Sequence, residues 1–141
     1  AVIQGASLQN FLEFRLMLEG QAAALAAERA SAEDIRQLQQ IQNELAAARE
    51  GGNYDQIPSL DRSFHESIAG YTKNPLMITA MAGIAEACET ETRESFSKVS
   101  SLMQTLEQMV RMHQAILDAI RNQSPGEAMT CMLNHIAGLP S

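Results

Sequence analysis

The chain has no tryptophan and few aromatic residues of any kind, 4% of 141, so aliphatic side chains must fill whatever core it builds. It also lacks stretches in which β-branched residues alternate with polar ones, which argues against strands. Positive charge is scarce. Ten Lys and Arg face 17 Asp and Glu, for a formal net charge of −7, and no basic run stands out. A duplex DNA or RNA binder carries a basic face; if this chain acts on DNA, another segment makes the contact. No apolar run approaches the roughly 20 residues of a membrane span. The first ten residues lack the basic start and long apolar middle of a signal peptide, and a start at Ala1 without methionine is read as a cut end. Cysteine is limited to Cys88 and Cys131. Both fall on apolar helical faces, and neither has a second Cys nearby, so two free buried thiols in a reducing cytoplasm are expected, not a disulfide. There is no glycine-rich phosphate loop and no His-Glu-x-x-His motif. The Glu-x-x-His pairs of di-iron bundles are absent too.

What is present is helix-forming: many Ala, Leu, Met, Glu and Gln, with 45% apolar residues. That length and apolar share suit one domain with one sizeable core. Helical spacing of Leu8, Phe11, Leu12, Leu18, Ala22 and Leu25 predicts a first helix over 7–30. Ser31 is an N-cap for a second, with Ile35, Leu38, Ile41 or Gln42, and Leu45 inward, ending at Gly51-Gly52. A third covers 53–71, where Pro58 requires either a first-turn position or a bend. Asn74-Pro75 restarts the chain into a fourth helix reaching about Ser97, lined by Met77, Met81, Ile84, Cys88 and Phe96. The fifth, from Ser101 to Asn122, turns Leu102, Leu106, Met109, Val110, Ile116, Leu117 and Ile120 inward. Ser124-Pro125-Gly126-Glu127 reads as a capping box opening a sixth helix that ends near Gly138. The expectation is an all-α antiparallel bundle of six helices joined by short loops.

All three histidines fall on inward faces. His65 follows Asp61 by one helical turn, and both lie beside the apolar stripe Ile57, Leu60, Phe64, Ile68. His113 continues the stripe of Leu102, Leu106 and Met109. His135 continues Ala128 and Met132, followed by Leu139. His113 and His135 are also equidistant from Ser124, eleven residues to either side. In an antiparallel hairpin, such residues lie at similar heights. Each histidine alone reads as a core side chain with a local hydrogen bond. Taken with Asp61, the set predicts one four-ligand metal centre. Imidazole and carboxylate suit Zn²⁺ first, with Ni²⁺, Mn²⁺ and Fe²⁺ compatible, and leave coordination positions for water or an anion. Two other readings stay open: a metal-dependent hydrolase or lyase using Glu19 or Glu66 as acid or base, and a ligand-free structural or dimerisation bundle.

Several segments together resemble the C-terminal effector domain (FCD domain) of FadR-type regulators in the bacterial GntR superfamily. They are Phe14-Arg15-Leu16-Met17-Leu18-Glu19, Leu60-Asp61-Arg62-Ser63-Phe64-His65, Asn74-Pro75-Leu76, His113 to Ile120, and Met132-Leu133-Asn134-His135, in order across nearly the whole chain. The resemblance implies an all-α antiparallel bundle of six or seven helices with a metal and ligand pocket in its core. It also implies a non-enzymatic sensor domain over 1–141 with a divalent metal at Asp61, His65, His113 and His135. A small carboxylate or hydroxy-acid effector would bind beside it, in a cytoplasmic homodimer with no membrane association. DNA would be bound only through an N-terminal winged helix-turn-helix domain outside this chain. Arg15 matches an arginine that points at the effector, although an exposed Arg15–Glu19 pair explains it equally. Arg93 is a second effector candidate whose polar neighbours also fit a solvated face.

Overall fold

The computed structural model describes residues 5–138. They form six helices: α1 (Leu8–Arg29), α2 (Ala32–Glu50), α3 (Ile57–Tyr71), α4 (Pro75–Phe96), α5 (Leu102–Arg121) and α6 (Pro125–Ala137). Local chemistry sets their ends. Ser7 and Ser31 each close a reciprocal capping box, with Asn10 and Asp34 respectively. Asn74 caps α4 by accepting from the Leu76 and Met77 N–H groups, and Ser101 caps α5 through the Gln104 N–H. The capping box expected at Ser124 and Glu127 does not form. Ser124 makes no side-chain cap bond, and its hydroxyl instead donates to the Asn122 carbonyl. Pro58 causes no bend: a 3₁₀ turn at Tyr54–Gln56 precedes α3, leaving Pro58 in the first turn, where its missing N–H is not needed. Gly52 takes a left-handed φ of 73° after α2, a conformation glycine adopts without strain.

α1 runs through the middle of the bundle, packing on α6, α3, α5 and, more lightly, α4. Its alanines allow this. Ala22, Ala23, Ala26 and Ala27 are buried in one cluster with Leu38, Phe64, Ile68, Ile116, Leu117, Ile120 and Met132. A second cluster joins Phe11 and Leu18 to Met81, Ile84, Ala85 and Cys88, holding α4 against the start of α1. On α2 Gln42 is buried and Ile41 partly buried against the core, and the Gln42 amide donates to the Val110 carbonyl at 2.7 Å. Leu8 was expected inward but is exposed. It helps line a cavity of about 300 Å³ between the start of α1 and the second half of α4, together with Phe11, Ala87 and Lys98. Cys88 is buried and Cys131 half-buried, and both are free thiols. Leu139 lies outside the described residues.

α1 and α6 come close at Gly20, where a Cβ would stand 2.8 Å from Leu133 Cδ2 and 3.3 Å from its Cγ. Gly20→Val is therefore expected to cost about 1–3 kcal/mol through overpacking, read as a lowered urea midpoint. An unchanged midpoint would mean that α6 yields at no cost.

Candidate metal centre

The apolar stripe of α3 carries the first two candidate ligands inward. Ile57, Phe64 and Ile68 are buried completely or nearly so, and Asp61 and His65 on the same side of the helix follow them. His113 rides on the strongly amphipathic α5 between Met112 and Ile116 and is 0% exposed. His135 enters from α6, one turn after the buried Met132.

The four side chains meet at one point. Asp61 Oδ1 is 3.0 Å from His113 Nε2 and 3.3 Å from His65 Nε2. His135 Nε2 closes the ring, 3.1 Å from His113 Nε2 and 3.3 Å from His65 Nε2. All four donor atoms lie within 4.8 Å of one another. Ligands bound at about 2.0–2.2 Å to one ion stand roughly 3–3.5 Å from their neighbours in coordination, and the observed edges agree. Asp61 Oδ1 supplies a further test. It is buried, close to two imidazoles, and yet has no aligned hydrogen bond. An orphaned carboxylate oxygen is costly in a core, and a shared cation would satisfy it. The donor set fits a divalent ion.

Outer contacts orient these four side chains. Glu19 on α1 accepts a short hydrogen bond from His65 Nδ1, which turns Nε2 toward the cluster. Thr92 on α4 has its hydroxyl 3.1 Å from Asp61 Oδ2 and 3.0 Å from the Cys88 carbonyl. The His113 ring stacks on Phe64, with centroids 4.0 Å apart and planes 5° from parallel. His113 Nδ1 is buried and without a hydrogen-bond partner.

Burial and neighbouring charge set the protonation. Burial alone would push His65 down, but the Glu19 and Asp61 carboxylates outweigh it and raise the pKa to about 9. Burial would raise Glu19, yet His65 and Arg15 hold it down at about 2. Asp61 is held well below the usual carboxylate range, since His65 and His113 overcome its desolvation. Burial pushes His113 down and His135 further, the latter helped by its two imidazole neighbours. Without a cation, the centre therefore holds one charged imidazole, two neutral ones and two carboxylates, with Arg15 alongside.

The FCD domain family model matches residues 10–138 of this arrangement. The chain belongs to that family. It is similar to the HTH-type transcriptional regulator LutR of Bacillus subtilis (26% identical over 137 residues, covering 94% of this chain and 60% of LutR). It is also similar to the uncharacterized HTH-type transcriptional regulator YieP of Escherichia coli (31% over 121 residues, 86% of this chain and 49% of YieP). The chain thus spans 60% and 49% of the lengths of these two curated relatives. Among solved structures, Streptococcus agalactiae GntR aligns with a TM-score of 0.77 at 26% identity, covering 91% of this chain and 55% of that one. E. coli McbR/YncC aligns equally well at 19% identity, covering 93% and 61%, which shows the shared all-α fold.

In this FCD domain the two arginines separate. Arg15 is 11% exposed and pairs with Glu19 at 2.6 Å, one step removed from His65. The Arg15–Glu19 pair is thus a buried one. Arg93 sits on the outer side of α4, half exposed and paired with Glu89, and does not join the cluster. Two side chains that contact the cluster, Glu19 and Thr92, carry weaker sequence signals. Glu19 had a signal, standing four residues before Ala23 and seven before Ala26 on the buried alanine face. Thr92 fills the step between Cys88 and Phe96 on the inner face of α4.

Proposed function

We propose that this FCD domain is a metal-anchored sensor of a small carboxylate or hydroxy acid, serving a GntR-type transcription regulator. The observation that carries this reading is the ring of Asp61 Oδ1 and three Nε2 atoms with edges of 3.0–3.3 Å. Asp61, His65, His113 and His135 would hold the ion, Zn²⁺ first among Zn²⁺, Ni²⁺, Mn²⁺ and Fe²⁺. When bound, the ion supplies fixed positive charge and open coordination positions. Charge balance favours an anion there. Arg15 offsets Glu19, and Asp61 alone offsets a divalent cation only in part, which leaves the centre positive. Arg15 is the protein's own second contact for such an anion. Arg93 would join it only by leaving Glu89.

The acid–base candidates of a hydrolase are engaged elsewhere, which supports a sensor over an enzyme. Both oxygens of Glu19 are taken by Arg15 and His65, and Glu66 pairs with Arg62 on the outer surface. The similarity to two HTH-type transcriptional regulators points the same way. In the whole protein, a DNA-binding domain N-terminal to α1 would read the operator, and effector binding would bias the heads of a homodimer between two arrangements. Such a regulator would work in the cytoplasm. Among the described residues, no helix is long and apolar enough to cross a membrane.

Protein purified without added metal should carry one divalent ion per chain by native mass spectrometry, and a chelator should lower its melting temperature. His113→Ala should remove both the ion and the chelator effect. Protein without stoichiometric metal, and with unchanged stability in His113→Ala, would overturn the reading.

A further inference from the structure

Glu19 touches two functional side chains at once. Oε1 takes the hydrogen bond of His65 Nδ1, and Oε2 takes that of Arg15 Nε at 2.6 Å. The Glu19 side chain is 2% exposed. An ion pair taken this far out of water gains little by itself, because desolvation offsets the attraction. A carboxylate that also orients a third group has a stronger reason to be there. Among the described residues, the one hydrogen bond of Arg15 runs through Nε. Its Nη1 and Nη2 edge therefore retains the fork geometry that receives a carboxylate.

We propose that Glu19 is the positioning residue through which an anion at Arg15 and a cation at Asp61, His65, His113 and His135 strengthen one another's binding. This rests on the sensor reading above. Glu19 fixes the His65 tautomer, so that the Nε2 lone pair faces the cluster. It also holds the Arg15 guanidinium by Nε, leaving the other edge for the effector. An anion that engages Arg15 draws the guanidinium's charge away from Glu19. More of the Glu19 charge then acts on the Nδ1–H of His65, which makes Nε2 the better donor to a cation. Linkage requires the reverse effect to be equal in size.

The test is Zn²⁺ affinity by chelator competition, with and without saturating succinate, in the wild type, Glu19→Gln and Arg15→Met. The wild type is expected to bind one Zn²⁺ and to bind it more tightly with succinate. Glu19→Gln should weaken Zn²⁺ by roughly 10–100-fold, the usual effect of losing an outer-shell partner, and should shrink the succinate effect. Arg15→Met should keep most of the Zn²⁺ affinity and lose the succinate effect. If Glu19→Gln does not fold, Arg15→Met/Glu19→Gln removes both buried charges together and should show the same weakened Zn²⁺. A wild type that binds no Zn²⁺ overturns the sensor reading, and this inference with it. A wild type that binds Zn²⁺ without any succinate effect overturns the coupling alone. So does a folded Glu19→Gln, or the double variant in its place, with wild-type Zn²⁺ affinity.

Discussion

Phe64→Ala should destabilise the protein by about 3–5 kcal/mol, the cost of emptying a buried aromatic site. Phe64 is 0% exposed and belongs to the cluster that joins α1, α2, α3, α5 and α6, so no single helix can shift to refill the space. For a domain of this size each kcal/mol lowers Tm by about 2–4 °C, which makes the drop easy to read in a thermal melt. Phe64→Leu keeps most of the volume and should cost clearly less. The effect extends to the site. Phe64 lies face to face with His113 at 4.0 Å, and the His113 ring makes no hydrogen bond through Nδ1. With only Nε2 in polar contact, to Asp61 and His135, stacking on Phe64 helps set the plane of that imidazole. Phe64→Ala should weaken metal binding in protein that is still folded, whereas a loss of less than about 1 kcal/mol with intact metal affinity would show that neither the core nor His113 depends on the ring.

The bundle and the convergence of Asp61, His65, His113 and His135 were legible in the sequence because both rest on helical period. Asp61 and His65 one turn apart, and His113 and His135 equidistant from Ser124, become neighbours once α5 and α6 form a hairpin and α3 packs against the same core. Helix ends were legible where capping is local, as at Ser31 and Asn74, and misread at Ser124, where the hydroxyl turns back to the Asn122 carbonyl. Less legible were side chains whose roles depend on rotation about a neighbouring helix. Arg15 and Glu19 at i, i+4 look the same in sequence whether they face solvent or the core. Only the packing of α1 between α3 and α6 decides that Glu19 reaches His65 across 46 residues of chain. Leu8 misled for the converse reason. It sits on the right period, but at the first turn of α1 it lines a cavity beside α4 instead of being covered.

The metal-free protein should be most stable near neutral pH, and Zn²⁺ should move that optimum upward. His65 has its folded pKa raised to about 9 from an ordinary value of 6.5. Its contribution is fully present below about 6.5 and is lost as pH rises through about 9. His113 and His135 are shifted the other way, below 6.5. Their contribution is present above about 6.5 and is lost as pH falls below it, because the unfolded chain then takes up protons that the core refuses. Glu19, lowered to about 2 from 4.5, adds stability above about 4.5 that disappears toward pH 2. These opposing slopes meet near pH 6.5. A cation changes the sign on the alkaline side, because it can use His65 Nε2 only after the proton there has left. Between pH 6.5 and 9, its affinity should rise by up to about tenfold per pH unit for that one displaced proton, about 1.4 kcal/mol of added stability at a fixed excess of metal. Thermal melts at pH 6.5, 7.5 and 8.5, each with EDTA and with Zn²⁺, should show the gap between the two widening with pH, while the EDTA curve alone declines. A gap of constant width would mean that His65 does not exchange its proton for the ion, and would remove it from the ligand set. Asp61→Asn separates the contributions further. It removes a ligand together with one of the two carboxylates that hold the His65 proton, so the EDTA curve should flatten above pH 7 while the Zn²⁺ gap collapses at every pH.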